Sequence, residues 1–163
     1  MSLTLPSDRY KRVRISAYKE PYTIDIGCGI KHSPEIIGID VHDNGQAILW
    51  DVIEGIPLPD NSVKEIKMYH FLEHVEYGDL DAFFRELRRV CVKKAIIDIK
   101  VPYSEHVDAH TTSHVSFWDE KAFKGVVKGF INSRKERLPI LELIMMQLLD
   151  NDRILHVKLQ VIR

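Results

Sequence analysis

The chain has 163 residues, of which 45% are apolar and 29% charged. That suits one soluble globular domain over residues 1–163 and excludes a disordered or low-complexity chain. Its 23 basic and 24 acidic residues leave a net charge of -1, which makes nucleic acid an unlikely dedicated partner. Two cysteines, Cys28 and Cys91, are too few for a disulfide scaffold and suit a reducing compartment. Arg9, Lys11, Arg12 and Arg14 stand where a signal peptide would carry its apolar core. No apolar run approaches the roughly 20 residues of a membrane span. The expectation is a cytoplasmic protein without a membrane partner.

In chain order, Tyr22-Thr23-Ile24-Asp25-Ile26 reads as a buried strand ending in the tight turn Gly27-Cys28-Gly29. Ile36 to Asp40 is a second strand and Ala47 to Asp51 a third. After the turn-rich 57–62 stretch, Val63 to His70 reads as a fourth. Asp79 to Val90 is the clearest helix: Leu80, Phe83, Phe84, Leu87 and Val90 recur at helical spacing, and Asp79 is placed to cap it. Lys94 to Val101 is a fifth strand stopped by Pro102. Ser116 to Phe130 is a second helix, with Ser116 and Asp119 spaced as a capping box. Ile131 to Leu138 is a candidate strand, and Pro139 to Leu149 a short apolar helix that is core or interface. Arg153 to Arg163 alternates as a final strand. Strands alternating with helices imply an α/β fold with a mostly parallel sheet, which binds its ligand at the strands' carboxyl ends.

The first three strands end on or beside an acid, at Asp25, Asp40 and Asp51. Each alone is weak, but their order is informative. Gly27 and Gly29 let the backbone approach a ligand closely. An acid at the tip of the next strand can accept both ribose hydroxyls. A further acid can accept from an adenine amino group. Together they describe a cleft for an adenosine with something attached.

From Tyr22 to about Phe123 the chain resembles the class I S-adenosylmethionine-dependent methyltransferases of the small, UbiE-like type. The resemblance rests on Asp25-Ile26-Gly27-Cys28-Gly29, Ile39-Asp40, Trp50-Asp51 and Leu58 to Val63. It continues through His70-Phe71-Leu72-Glu73-His74 and Arg85 to Val90. It implies a Rossmann-like sheet with an antiparallel C-terminal strand and S-adenosyl-L-methionine as cofactor. Asp25, Gly27 and Gly29 would then hold the methionine end, Asp40 the ribose, and Asp51 the adenine amino group, with Val52 beside the ring. His70 would lie against the sulfonium. Lys31 replaces the family's third glycine, and only six residues separate Gly29 from Ile36, so the first helix is shortened.

Histidine suits removal of a proton from an alcohol or phenol acceptor. His70, His74, His106 and His110 are the catalytic candidates, all in segments expected at the carboxyl edge of the sheet. His106, Asp108, His110 and His114 could supply imidazole and carboxylate ligands to zinc or a similar ion, but their spacing matches no standard zinc motif, so no metal is expected. Met68-Tyr69-His70-Phe71 lacks the Asn/Asp-Pro-Pro-aromatic pattern of enzymes acting on DNA bases, which turns the acceptor toward a small molecule or glycan. Arg9, Lys11, Arg12, Arg14, Arg134, Lys135 and Arg137 read as solvated surface. The alternative function is a non-catalytic methyltransferase-like partner subunit. With so short a first helix, Ile24, Ile26, Ile37 and Ile39 are expected to lack its cover; the Leu3 to Tyr18 segment folding back or a second copy would supply it, and with the apolar Pro139 to Leu149 surface this points to a homodimer.

Overall fold

The computed structural model describes residues 15–30, 33–43, 45, 47–129 and 141–162. The basic residues before Ile15, Lys31, the candidate strand 131–138 with its basic residues, Phe130 and Pro139 lie outside them. Seven strands form one sheet: β1 (Tyr22–Ile26), β2 (Ile37–Asp40), β3 (Ile48–Leu49), β4 (Val63–Tyr69), β5 (Cys91–Pro102), β6 (Leu141–Leu149) and β7 (Ile154–Val161). Their order across the sheet is β3-β2-β1-β4-β5-β7-β6. The pairs from β3 to β5 are parallel, and β7 runs antiparallel to both β5 and β6. Helices α1 (Leu80–Val90) and α2 (Glu120–Lys128) carry their apolar residues into the same core.

The register explains how a sheet with so few helices is stable. Residues side by side in register share a face of a sheet. Ile24 pairs with Ile37 and Ile66, and Ile66 with Ile97, which faces Leu159. One pleat further, Ile26 pairs with Ile39 and Met68, then Ile99 and Val157. All ten are fully buried, so the expected exposure of Ile24, Ile26, Ile37 and Ile39 does not occur. The reason is that all four isoleucines lie on one face, which also takes α1 and α2. Ile15 and Tyr18, ahead of β1, pack against the same core.

The opposite face is polar. Asp25, Lys67, Asp98 and Lys158 follow one another in register across β1, β4, β5 and β7. Asp98 is nearly buried there, its Oδ1 accepting from His156 Nε2 at 2.7 Å and its Oδ2 from Lys158 Nζ at 3.1 Å. Burial, reinforced by the charge and hydrogen bond of Asp98, pushes the Tyr69 phenol up to about 12. Parallel sheets are normally apolar on both faces. This one alternates as an antiparallel sheet does.

Local chemistry sets the remaining boundaries. α1 runs into β5 without a loop, because the carbonyls of Arg89 and Val90 accept from the N–H groups of Asn61 and Ser62 at 3.0 and 2.8 Å. β5 therefore begins at Cys91, three residues before the sequence reading, with an irregular register near Lys94, whose φ is 67°. The Arg89 guanidinium also donates to the carbonyls of Ile56 and Leu58 and to Asp60, pinning the turn-rich segment. Asp79 precedes α1, but its side chain makes no cap; its carbonyl accepts from Phe83 instead. α2 starts at Glu120 rather than Ser116. Asp119 caps it through Ala122 N–H, while Ser116 is buried and donates to the Leu72 carbonyl. β3 keeps only two of its five expected residues.

The expected helix up to Leu149 is a strand. β6 forms a hairpin with β7 through Asp150, Asn151 and Asp152, all at positive φ. A register shift between Leu143 and Met145 places Leu143, Met146 and Leu148 opposite Leu159, Val157 and Leu155. The bulge thus inserts a helix-like step of three into a strand, which misleads a periodicity reading. Among the described residues no helix lies between β1 and β2, and none is long and apolar enough to cross a membrane.

Asp98 titrates with a definite sign. Burial raises its pKa, but the hydrogen bonds from His156 and Lys158 and their charges prevail and hold it below its ordinary value. Its contribution is therefore present above the usual carboxylate range and lost as pH falls through the depressed value. Asp98→Asn should cost about 2–4 kcal/mol at pH 7. In urea unfolding the gap from wild type should narrow steadily toward pH 3.

Candidate functional site

The strand order reverses between β1 and β4, and open α/β sheets bind ligands at the carboxyl ends of strands beside such a reversal. A cleft of about 480 Å³ opens there. Ile26 and Gly27 end β1, Ile39 to His42 continue β2, Trp50 and Val52 follow β3, and His70 and Phe71 follow β4; His74 and Ser113 complete the wall. Most of the lining is apolar. A second depression beside it, lined by Val41, Leu49, Trp50 and Asp51, shares two of those residues.

Gly27 is required twice over. Its φ is 67°, and an added Cβ would stand 2.7 Å from Phe71 Cδ2. Its N–H donates to the Ile39 carbonyl at 2.9 Å, tying the turn to β2. Gly29 also has positive φ, with open space where a Cβ would point, and its N–H donates to Asp40 Oδ2 at 2.9 Å. Asp40 Oδ1 accepts from His42 N–H at 2.8 Å. The nearly buried Asp40 carboxylate thus clamps the glycine turn to the tip of β2; Oδ1 also has His42 Nδ1 at 3.3 Å, while Oδ2 keeps a lone pair for a further donor.

Gly27, Asp40, Val52, His70 and His74 come together around the cleft. Asp51 borders the adjoining depression and caps a short turn through Ile53 N–H. Gly29 and Asp25 are not among the lining residues, and Asp25 belongs to the polar row of the sheet. The structure does not bring His106 and His110 to this wall. His106 accepts from Asp108 N–H as a turn cap. His110 donates to the Ser104 carbonyl and stacks on Phe117.

His70 carries its ring into the cleft on a left-handed backbone, φ 55°, with its N–H donating to the Lys100 carbonyl at 2.8 Å. Its Nδ1 lies 3.5 Å from Glu73 Oε1. Hydrogen bonding to Glu73 raises the His70 pKa, burial opposes this, and the Glu73 charge adds to the rise against Lys100. Sequence reasoning missed Val41, His42, Trp50, Phe71 and Ser113 as lining residues. Trp50 and Phe71 stood inside quoted motifs, which is the signal that was available. Ser113 carried none, because a long-range pairing brings it in.

No protein-family model matches the chain, and no curated protein sequence does. Solved structures do. An S-adenosylmethionine-dependent methyltransferase from Archaeoglobus fulgidus aligns at TM-score 0.61 with 16% identity, over 85% of each chain. One from Aquifex aeolicus aligns at TM-score 0.59 with 19% identity, over 88% of this chain and 84% of that one. Phosphoethanolamine N-methyltransferase 1 from Haemonchus contortus, in complex with phosphoethanolamine and S-adenosylhomocysteine, aligns at TM-score 0.63 with 10% identity, over 89% of this chain and 40% of that one. The likeness at this identity establishes the fold: the Rossmann-like sheet of class I methyltransferases.

The left-handed backbone at His70 has a measurable cost. A side chain with a Cβ is disfavoured there by about 1–2 kcal/mol. His70→Gly should therefore be more stable than His70→Ala by about 1 kcal/mol in chemical denaturation. Equal stabilities would mean that the turn after β4 does not need this conformation.

Proposed function

We propose that the protein is an S-adenosylmethionine-dependent methyltransferase acting on an oxygen or nitrogen of a small molecule or glycan. The observation that carries this is the coincidence of cleft and topology. A largely apolar cleft sits at the strand reversal, with Gly27 and Asp40 on its wall. Its volume of about 480 Å³ lies within the ordinary range for small-ligand sites.

The residues fit the cofactor. Ile39, Val41, Trp50 and Val52 make an apolar wall suited to a purine. Asp40 Oδ2 retains a lone pair for a ribose hydroxyl, the exposed His42 ring beside Oδ1 can move aside for the second, and the open space at Gly29 admits a ligand near the turn. Asp51, beside the adjoining depression, is the candidate for the adenine amino group. Asp25, His106 and His110 have no role in this proposal. The cofactor supplies an electrophilic methyl group on sulfur. The chain's work is to align an acceptor with it, exclude water and hold the acceptor's proton. His70 and His74, on the wall across from Asp40, are the residues for that work. The cofactor and acceptor sides thus divide between the β1–β2 and β4 tips.

The partner-subunit reading keeps one favouring observation: the connection between β1 and β2 lacks a helix among its described residues. The homodimer loses the exposed isoleucines on which it rested. The surface left for a second copy is β6, an edge strand interrupted by the bulge at Ile144.

Calorimetry separates the two readings. S-adenosylhomocysteine should bind wild type saturably, in the micromolar range. Val41→Trp, at an exposed residue bordering both depressions, should abolish that binding without lowering the melting temperature. Asp40→Ala should lose both affinity and about 1–3 kcal/mol of stability, because it also strands two backbone N–H groups. No heat from wild type at millimolar ligand would favour the partner subunit.

A further inference from the structure

Glu73 is a buried acid whose burial the methyltransferase reading does not explain. Its side chain is about 3% exposed, and among the described residues its Oε2 has no hydrogen-bond partner while its Oε1 has the long contact to His70 alone. His70 Nδ1 approaches only to 3.5 Å. A buried carboxylate left in this condition is costly unless a cation meets it.

Two imidazoles converge on it. One ligand atom each from Glu73, His74 and His114 lies within 4.8 Å of the others. His74 Nδ1 is 3.0 Å from the Ser113 carbonyl, and His114 Nδ1 is 3.0 Å from the Ala109 carbonyl. A carbonyl can only accept, so each Nδ1 carries a proton, and in the neutral ring each Nε2 presents a lone pair. Metal-binding histidines are oriented in this way, the second nitrogen donating to a carbonyl or carboxylate. The two rings meet edge to face with centroids 5.0 Å apart.

The supporting backbone is rigid. The Glu73 carbonyl accepts from Val115 and Ser116 N–H at 2.9 and 3.1 Å. Buried Ser116 donates to the Leu72 carbonyl, and Phe117 N–H donates to the Tyr77 hydroxyl. These bonds lock the 72–77 segment to the 113–117 segment, so all three side chains are held from both sides.

We propose that Glu73, His74 and His114 bind a divalent ion of the zinc class. Two imidazoles and one carboxylate are a ligand set of catalytic zinc sites, which leave the fourth position open. Three atoms at most 4.8 Å apart lie within about 2.8 Å of a common centre, against 2.0–2.1 Å for a zinc–nitrogen bond. Small side-chain shifts close that gap. His74 and Ser113 also line the cleft, which places the ligand set at its wall. There the ion would hold and polarise an acceptor oxygen, with His74 serving as its ligand and the proton left to His70; that role rests on the methyltransferase reading, while the binding itself does not. This set is not the His106–His114 loop set that the sequence suggested. It shares His114 with that set, but takes its other two ligands from the turn after β4.

The test uses tag-free full-length protein, stripped with a chelator and titrated with zinc against a chromophoric competitor. Wild type should take up one ion per chain. His74→Ala and His114→Ala should each weaken uptake by at least about tenfold. Glu73→Gln should do the same, with circular dichroism to check its fold. His110→Ala should bind as wild type does. Cobalt in place of zinc should give visible absorption that His114→Ala loses. No uptake by wild type, or unchanged uptake in both His74→Ala and His114→Ala, overturns the site. Loss in His110→Ala with retention in His74→Ala overturns it too, and moves the ion to the loop. Because no cofactor is present, failure here is distinct from failure to bind S-adenosylhomocysteine.

Discussion

The constraint on which the rest depends is that this parallel sheet buries only one of its faces in the apolar core. A parallel sheet needs crossovers, and crossover helices normally cover both sides. Here the connection from β1 to β2 has no helix among its described residues, and α1 and α2 both carry their apolar residues into one core. The strands answer with alternation along their paired central stretches. Isoleucine, methionine and valine stand in register on the core side, and Asp25, Lys67, Asp98 and Lys158 on the other. Opposite charges in neighbouring positions stabilise such a face without apolar cover. Asp98 shows the arrangement at its most developed, with a donor on each oxygen.

The same economy of helices shapes the cleft. A full first helix would ordinarily point its N-terminus at the ligand and hold the glycine turn in place. In this chain Asp40 performs the second task through its own carboxylate, bonding Gly29 and His42 N–H groups. Phe71, from the far side of the strand reversal, packs where a Cβ on Gly27 would be. The turn is therefore fixed by β2 and by the segment after β4 rather than by a helix.

Much of this was legible in the sequence, and the misses have physical causes. β1, β2, β4, β7 and α1 follow from alternation or helical spacing, because their core faces are regular. β6 did not, since the bulge at Ile144 breaks its period of two and only pairing with β7 makes it a strand. Ser116 sits at capping-box spacing but is drawn inward by the Leu72 carbonyl, so tertiary contact overrides the local signal. At the site, Asp40, His70 and His74 could be read from strand tips and Val52 from the family resemblance, and all four line the cleft. Asp25, expected at the methionine end of the cofactor, stands in the polar row, because a single position on the pleat decides between the two faces. His106 and His110 turn to their own loop, where nearby backbone groups meet their ring nitrogens.

Glu73 joins these observations. Its side chain lies in the core edge beside Leu72, yet its carbonyl anchors the segment that carries Ser113, His114 and Ser116. A merely structural anchor needs that carbonyl and no acid, since glutamine or leucine would offer the same backbone. An ionised carboxylate with only one long contact in that place weakens the fold rather than strengthening it. A positive charge close by offsets that cost. His70 answers in part, at 3.5 Å, from a strained backbone that has its own cost. The two imidazoles turned toward the carboxylate, with their other nitrogens committed to carbonyls, offer no charge of their own while neutral. A divalent ion held between them supplies it, and brings that charge to the wall of the cleft where His74 already stands.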